Sequence, residues 1–559
     1  LAIGNCLYAQ GKRDIAYRDS WMQAVAEYDL ALSTLTPQDF PQVYLEVLQS
    51  LITALIGLGQ ILQAQELHEQ GMNVWGHLLG DPNFTDANKK QLSLKVTGLG
   101  QLAVDLAIQS GEFLSALEIA EQSKNACLTW QLFGWSEEIY SPNYQSIQQL
   151  LNPTTAIVYW HISSYAIHTF VIKHKYPEPI HIFTPVLNPG ESNEFPLPEA
   201  VQRLVELEDW IEDWDRQYQE YRQTTRDKQG QISHSWRLLM AQRLEHLQEI
   251  LNIANIEEEL QNIKQLILVP HRDLHRFPLH QLFNSNANYI INYLPSIQMG
   301  LEGKSTEVGI NPQQFLLSLE YPNSSGYLQL KFAKVQTEAV KQMFTNCTSI
   351  VAVEATKRQV EDSLDNHHDI LHFNGYVINN FTVPQESGLL LNGDEKLTLV
   401  DICKHPLSSY KLVTLAAHET IIPKNRTNFS SEYAGLTSGF LSQGVDYVLT
   451  PLWTVESAAS TLIIVEFYRN LQKNKSPIEA LALATHWLRE VTAGELVQWY
   501  EDLLDNLGQE ELRNQADLAT ELYRVKHMSA DENLYNHPYY WAAFTIVGNS
   551  DVALRASNK

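Results

Sequence analysis

Five histidines crowd one stretch of this chain, His367, His368, His372, His405 and His418. Imidazole is a common metal ligand and the side chain best suited to proton transfer near neutral pH. Spacing argues against the metal. His367 and His368 open one apolar run and His418 closes another, and no HxxxH pair or suitably spaced carboxylate puts two ligands on one face. No metal and no cofactor are therefore expected. A second run, VPHRDLHRFPLHQLF (269–283), groups His271, Arg272, His275, Arg276 and His280. Its plainer reading is a solvated turn leading into a helix, and its sharper one is recognition of an acidic peptide. The cysteines Cys6, Cys127, Cys347 and Cys403 lie far apart without CxxC or metal spacing, which fits a reducing compartment without disulfides.

The elements that must position these groups fall into three stretches. Residues 1–140 read as helices, with small residues at matching offsets: Ala24 and Ala31, then Gly59, Ala64 and Gly71, then Gly111, Ala116, Ala120 and Ser123. Such seams fit tetratricopeptide-like helix pairs, in which small residues let neighbouring helices approach closely. The spacing between Ala24, Ala64 and Ala116 exceeds the usual repeat, so an insertion such as LLGDPNFTDANKK (78–90) is required; a plain helical bundle is the alternative. Residues 141–264 begin with a hairpin, AIVYWHISSYAIHTFVIK (156–173). They continue with an amphipathic helix carrying Val201, Leu204, Leu207, Ile211, Trp214, Tyr218 and Tyr221 at steps of three or four. From 265 to 559 short apolar strands alternate with helical segments: LILVP, FLLSL, SIVAV, DILHF, KLVTLAA, YVLTPLW and FTIVG. That alternation predicts a mostly parallel sheet covered on both faces, with functional groups beyond the carboxyl ends of its strands.

Composition bounds the partners. The 559 residues carry a formal charge of −26, with 65 acidic and 39 basic side chains, which disfavours non-specific nucleic-acid binding. No apolar run approaches the roughly 18 residues that cross a bilayer, so no membrane association is expected. The opening LAIGNCLYAQGK lacks a basic start followed by an apolar stretch, so a cytoplasmic location is expected, and Leu1 in place of Met points to a partial chain.

The strand ends ILHFNGY (370–376) and LVTLAAHET (412–420), together with QLILVPHRDLHRFPLHQLF (265–283), SGLLLNGDEKLTLVDI (387–402), LTSGFLSQGVDYVLTPLWTVES (436–457) and HPYYWAAFTIVG (537–548), resemble the CHAT family of caspase-like domains found with tetratricopeptide repeats. The resemblance implies helical repeats followed by a caspase-like domain, a mostly parallel sheet flanked by helices. It also implies a Cys-His dyad at the two strand ends, where family members end in motifs resembling HFxGHG and LSACET. In this sequence the base position holds Tyr376 and the thiol position holds His418. A phenol titrating near 10 is a poor base at neutral pH, and imidazole stands where sulfur should attack the carbonyl.

Gly375, His372, Glu419 and Arg426 are the remaining groove candidates, His372 matching a histidine that the family carries inside the strand. Cys403, on the helix before the second strand, should be remote from both ends. The resulting expectation is a catalytically degenerate caspase-like protein, a scaffold or regulatory pseudo-peptidase that recruits a protein partner through its repeats. Its partner would be an active CHAT peptidase or a peptide ligand. Two alternatives stay open: an active hydrolase in which Tyr376 and His418 serve a bound water, and an inactive subunit paired with an active homologue.

Overall fold

Six helices with small residues at their contacts open the chain: α1 (Ala2–Gly11), α2 (Tyr17–Leu32), α3 (Pro41–Gly57), α4 (Ile61–Gly80), α5 (Asp86–Gln109) and α6 (Phe113–Phe133). They pack as successive pairs, α1 with α2, α3 with α4 and α5 with α6. A Cβ on Gly57 would lie 2.4 Å from the Trp21 ring, and one on Gly71 would lie 2.9 Å from Leu99. Side chains at those positions would push the helices apart. The expected insertion at 78–90 is mostly helix instead. Only residues 81–85 separate α4 from α5, where the Thr85 hydroxyl accepts the Asn88 N–H as an N-cap. The long spacing comes from helices of 20 and 24 residues.

This computed structural model describes residues 1–14, 16–134, 140–182, 197–224, 231–283, 289–302, 310–320, 324–326, 330–380, 383–419, 434–506 and 512–549, with the backbone alone at 417–419 and 512–515. Among the described residues thirteen strands form one sheet: β1 (Thr155–Ile162), β2 (Ile167–Lys173), β3 (Ile180–Ile182), β4 (Gln265–Val269), β5 (Ile290–Tyr293), β6 (Phe315–Glu320), β7 (Asn346–Val351), β8 (Ile370–Ile378), β9 (Gly388–Leu390), β10 (Lys396–Thr398), β11 (Leu412–Glu419), β12 (Tyr447–Pro451) and β13 (Phe544–Gly548). Across the sheet the order is β7, β6, β8, β11, β12, β13, β5, β4, β1, β2, β3, with the β9–β10 hairpin joined to the far end of β8. β7, β6, β8, β11 and β12 are parallel neighbours. β13 runs against β12 and alongside β5. The architecture is therefore a helical region followed by a mixed, mostly parallel sheet between helices.

Both faces of the central strands are covered, which is why they read as near-continuous apolar runs. One face of the central strands, with Ile370, Leu412 and Leu449, packs against the helices Ala333–Lys341 and Ser457–Leu471. The other, with Leu371, Phe373, Val413 and Leu415, packs against Lys357–Leu364, Leu399–Ile402 and Leu436–Ser442. The amphipathic helix is Glu199–Gln223. Its buried Trp210 and Trp214 join Trp236, Phe277 and Trp453 in one aromatic cluster, Trp214 lying 5.3 Å from Trp236 and 6.2 Å from Trp453. β8 starts at Ile370, two residues after His368, because Asp369 ends the approach: its carboxylate accepts the Phe315 N–H and its carbonyl accepts the Lys411 N–H.

α5 and α6 are seated on the sheet. Val104, Ile108 and Leu117 share a core with Ile157, Tyr159, Ile267 and Val269. Polar groups buried in the same seam are paired across it. His168 Nε2 on β2 lies 2.7 Å from Asp105 Oδ1, and the Ser163 hydroxyl donates to the same oxygen at 3.0 Å. Glu121 Oε1 accepts the Gln298 N–H at 2.9 Å, and Lys124 Nζ donates to the Pro270 carbonyl. Burial pushes the Glu121 carboxyl upward, against the pull of the Gln298 N–H and of Lys124.

Removing Asp105 would leave His168 and Ser163 without their shared acceptor in a site that excludes water. Asp105→Ala is expected to destabilise the fold by about 1–3 kcal/mol for a buried donor left unpaired. Urea unfolding followed by tryptophan fluorescence measures this, and Asp105→Asn should lose less.

Candidate functional site

β8 and β11 run side by side and end at the same rim, where Ala417 pairs with Gly375, His418 with Tyr376 and Glu419 with Val377. Paired residues on parallel strands share a face, and the strands lie about 4.8 Å apart. The fold thus makes cross-strand neighbours of Tyr376 and His418, two positions 42 apart in the sequence. Tyr376 is half-buried and Gly375 is buried. β8 outlasts β6, and past the last β6 pairing its Val377 and Ile378 pair with Leu389 and Gly388 of β9. Arg426 lies outside the described residues, as do the side chains of His418 and Glu419.

His372 sits lower on the same face as Tyr376, fully buried beneath the Ser457–Leu471 helix. Its Nδ1 is 3.4 Å from the Tyr468 hydroxyl, which donates to Thr414 Oγ1 at 2.9 Å. The structure brings Gly375, Tyr376, His418 and Glu419 together at the rim and puts His372 in the core below them.

Val377 turns to the opposite face and lines a cavity of about 110 Å³ with Leu415, Leu436, Ser438, Trp214 and Trp453. His275 and Arg276 also border it. The turn expected to be solvated is packed: His271 is buried, its Nδ1 accepting the Ile162 N–H at 2.8 Å, and Leu274, Phe277 and Leu279 are buried around it. Arg276 is matched by two acids, Asp273 at 2.7 Å and Asp215 closer still. Burial raises the Asp215 carboxyl to about 6 despite the guanidinium beside it.

Sequence reasoning missed Gln131. Its Oε1 accepts the Ala434 N–H at 3.3 Å and its carbonyl accepts from Gln385 Nε2 at 2.9 Å. With Leu128 and Leu132 packed in the core that holds Phe373, Val377 and Leu436, α6 braces both segments flanking the strand ends. No periodicity marks such a contact.

None of the four cysteines occupies the paired rim positions. Cys6 and Cys347 are exposed on α1 and the outer strand β7, and Cys127 is buried in α6. Cys403 follows the Leu399–Ile402 helix and interacts with Ser442, at the end of Leu436–Ser442 that leads into β12, so it sits at the amino-terminal edge of the strands. Burial raises its thiol. Among the described residues no group of His, Cys, Asp and Glu could hold a metal ion, and no helix is long and apolar enough to cross a membrane.

Burial pushes His372 down to about 3. Above its ordinary value near 6.5 the side chain is neutral in both folded and unfolded chains. As pH falls from there toward 3, only the unfolded chain takes up the proton, and stability drops by about 1.4 kcal/mol per pH unit. His372→Asn is expected to shrink the fall in urea midpoint between about pH 7 and about pH 5, whatever its own effect on stability at neutral pH.

A comparison with curated protein sequences gave no match. Among solved structures, two crystal structures of the Saccharomyces cerevisiae separase–securin complex align with 97% and 96% of this chain at 10% identity, with TM-scores of 0.41 and 0.48. The chain spans 41% and 40% of those separase chains. The Arg-specific cysteine proteinase gingipain R aligns with 56% of this chain and 68% of its own, at 10% identity and a TM-score of 0.30. The family model described as "CHAT domain" matches residues 236–549, from the central tryptophan of the aromatic cluster to the residue after β13. The chain belongs to the CHAT-domain family.

Proposed function

We propose that this protein is a pseudo-peptidase, a CHAT-domain scaffold that binds protein or peptide partners without cleaving them. One observation carries the reading: the cross-strand neighbours at the rim are Tyr376 and His418, and neither position holds a thiol. Amide hydrolysis by a thiol route needs a sulfur nucleophile and an imidazole within hydrogen-bond reach. A tyrosine hydroxyl keeps its proton at neutral pH and does not serve as that base. What remains at the rim is a recognition surface.

The helix pairs, read as tetratricopeptide-type repeats, supply the partner-binding surface. Their outer helices leave Ile3, Leu30 and Leu62 largely exposed, while α5 and α6 are committed to the sheet. The partner is a protein, and an active CHAT peptidase fits as one such partner. The expected setting is the cytoplasm, in keeping with cysteines that lie far apart in the sequence.

Purified protein incubated with casein and with fluorogenic peptides should release no product above the blank, and a thiol-directed covalent probe should label no residue at the rim. Turnover by the wild type that disappears in His418→Ala would overturn the reading in favour of a histidine-dependent hydrolase.

A further inference from the structure

The sheet ends at β7. Among the described residues this strand pairs with β6 alone, and it does so at each of its 6 positions. At the opposite end of the sheet the last strand, β3, is only 3 residues long. Ala352, with a left-handed φ of 48°, turns the chain out of β7 directly after Val351.

The neighbouring strands fix which backbone groups of β7 are free. Tyr447 N–H donates to the Lys411 carbonyl and Leu412 N–H to the Asp369 carbonyl, so the odd-numbered residues of β11 bond to β12 and the even-numbered ones to β8. Carried across the parallel registers, this alternation turns Ile370 and His372 toward β6, and Phe315, Leu317 and Leu319 toward β8. The Phe315 carbonyl accordingly accepts an N–H from that side, that of Asp369. Leu316, Ser318 and Glu320 are left to serve β7, which answers with Asn346, Thr348 and Ile350. The N–H and C=O of Cys347, Ser349 and Val351 therefore point out of the sheet, and among the described residues no backbone group from another element bonds to them.

Sheets ordinarily blunt such an edge with charged side chains, above all lysine, or with proline. β7 reads NCTSIV and carries neither. Lys341, which acts on the Cys347 thiol, is matched by Glu320 at 3.2 Å. Cys347 and Thr348 are exposed, as are Phe315 at the foot of β6 (46%) and Val353 just past β7 (62%). This edge also fits itself. Laid antiparallel on a second copy about a two-fold axis at Ser349, the outward groups exchange N–H···O=C bonds between Ser349 and Ser349 and between Cys347 and Val351. Thr348 then lies opposite Ile350 on one face, and Cys347 opposite Val351 on the other, uncharged pairs with a β-branched side chain in each. A two-fold contact requires a patch complementary to itself, and this register supplies one. The net charge of −26 does not oppose it, because charges are screened beyond about 8 Å at physiological salt and none lies on the strand.

We propose that two copies of this chain associate through β7, antiparallel about Ser349, so that their sheets become one. β6 stands between β7 and the rim strands, and the contact leaves the ends of β8 and β11 uncovered in each copy. The association goes beyond the pseudo-peptidase reading and does not depend on whether Tyr376 and His418 act chemically.

Sedimentation velocity of the full chain from about 1 to about 100 μM is expected to show a reversible monomer–dimer equilibrium, since a contact of one strand edge is small. Ser349→Lys sets two ammonium groups against each other at the axis. It is expected to weaken dimerisation about tenfold or more, a change of about 1.4 kcal/mol, while the urea midpoint stays near that of the wild type. Cross-linking gives a second readout that does not rely on that variant. Val351→Cys puts a thiol opposite Cys347 of the other copy, and within one copy the two positions are too far apart along the strand to join. Diamide, which is reduced as the paired thiols lose their protons and form the S–S bond, should yield a disulfide-linked dimer joined through Cys347, and adding Cys347→Ser should abolish it. A chain that stays monomeric throughout, a dimer equally strong in Ser349→Lys, or a diamide-treated Val351→Cys chain without the Cys347 cross-link would each overturn the proposal.

Discussion

The geometry of the strand ends depends on a seam of buried polar pairs between the helical region and the sheet. Asp105 with His168 and Ser163, Glu121 with Gln298, and Lys124 with Pro270 are all removed from water. Apolar contact alone tolerates sliding, because its free energy follows area rather than direction. A buried carboxylate tolerates no such freedom, since a displacement that breaks its hydrogen bonds leaves a desolvated charge. The seam thus fixes where α6 lies, and α6 carries Gln131 to the two segments that flank the rim.

Much of this was legible in the sequence, and for a physical reason. Strands covered on both faces must be apolar nearly throughout, so β4, β6, β8, β11, β12 and β13 announce themselves as short runs. The Glu199–Gln223 helix declares its buried face through Leu204, Leu207, Trp214 and Tyr218 at helical steps. What stayed hidden depends on partners distant in the chain. The run around His271 looks solvated until Asp215 is brought to Arg276 and the backbone of Ile162 to the imidazole. Tyr376 and His418 stand between these cases: their residue types were readable, and their adjacency needed the register of β8 on β11.

The family match and the physical unit do not coincide. The match begins at residue 236, yet β1 pairs with β4 over five positions and β2 and β3 extend the same sheet. The Glu199–Gln223 helix supplies Trp214 and Tyr221, which pack on Trp236 inside the matched region. A fragment cut at the start of the match would expose the long free edge of β4 and open the aromatic cluster.

The buried seam also bears on how such a chain is made. Translation delivers Asp105, Glu121 and Lys124 early, whereas the backbone groups of Pro270 and Gln298 that satisfy two of them emerge some 150 to 180 residues later. The Tyr221 hydroxyl waits still longer, for Tyr539, 318 positions on. A nascent helical region therefore leaves the ribosome with polar groups set in an apolar face and part of their final hydrogen bonding still to come. Long-range closure of this kind slows folding and prolongs exposure. Until the last strand has been synthesised, that apolar face stays open to other chains.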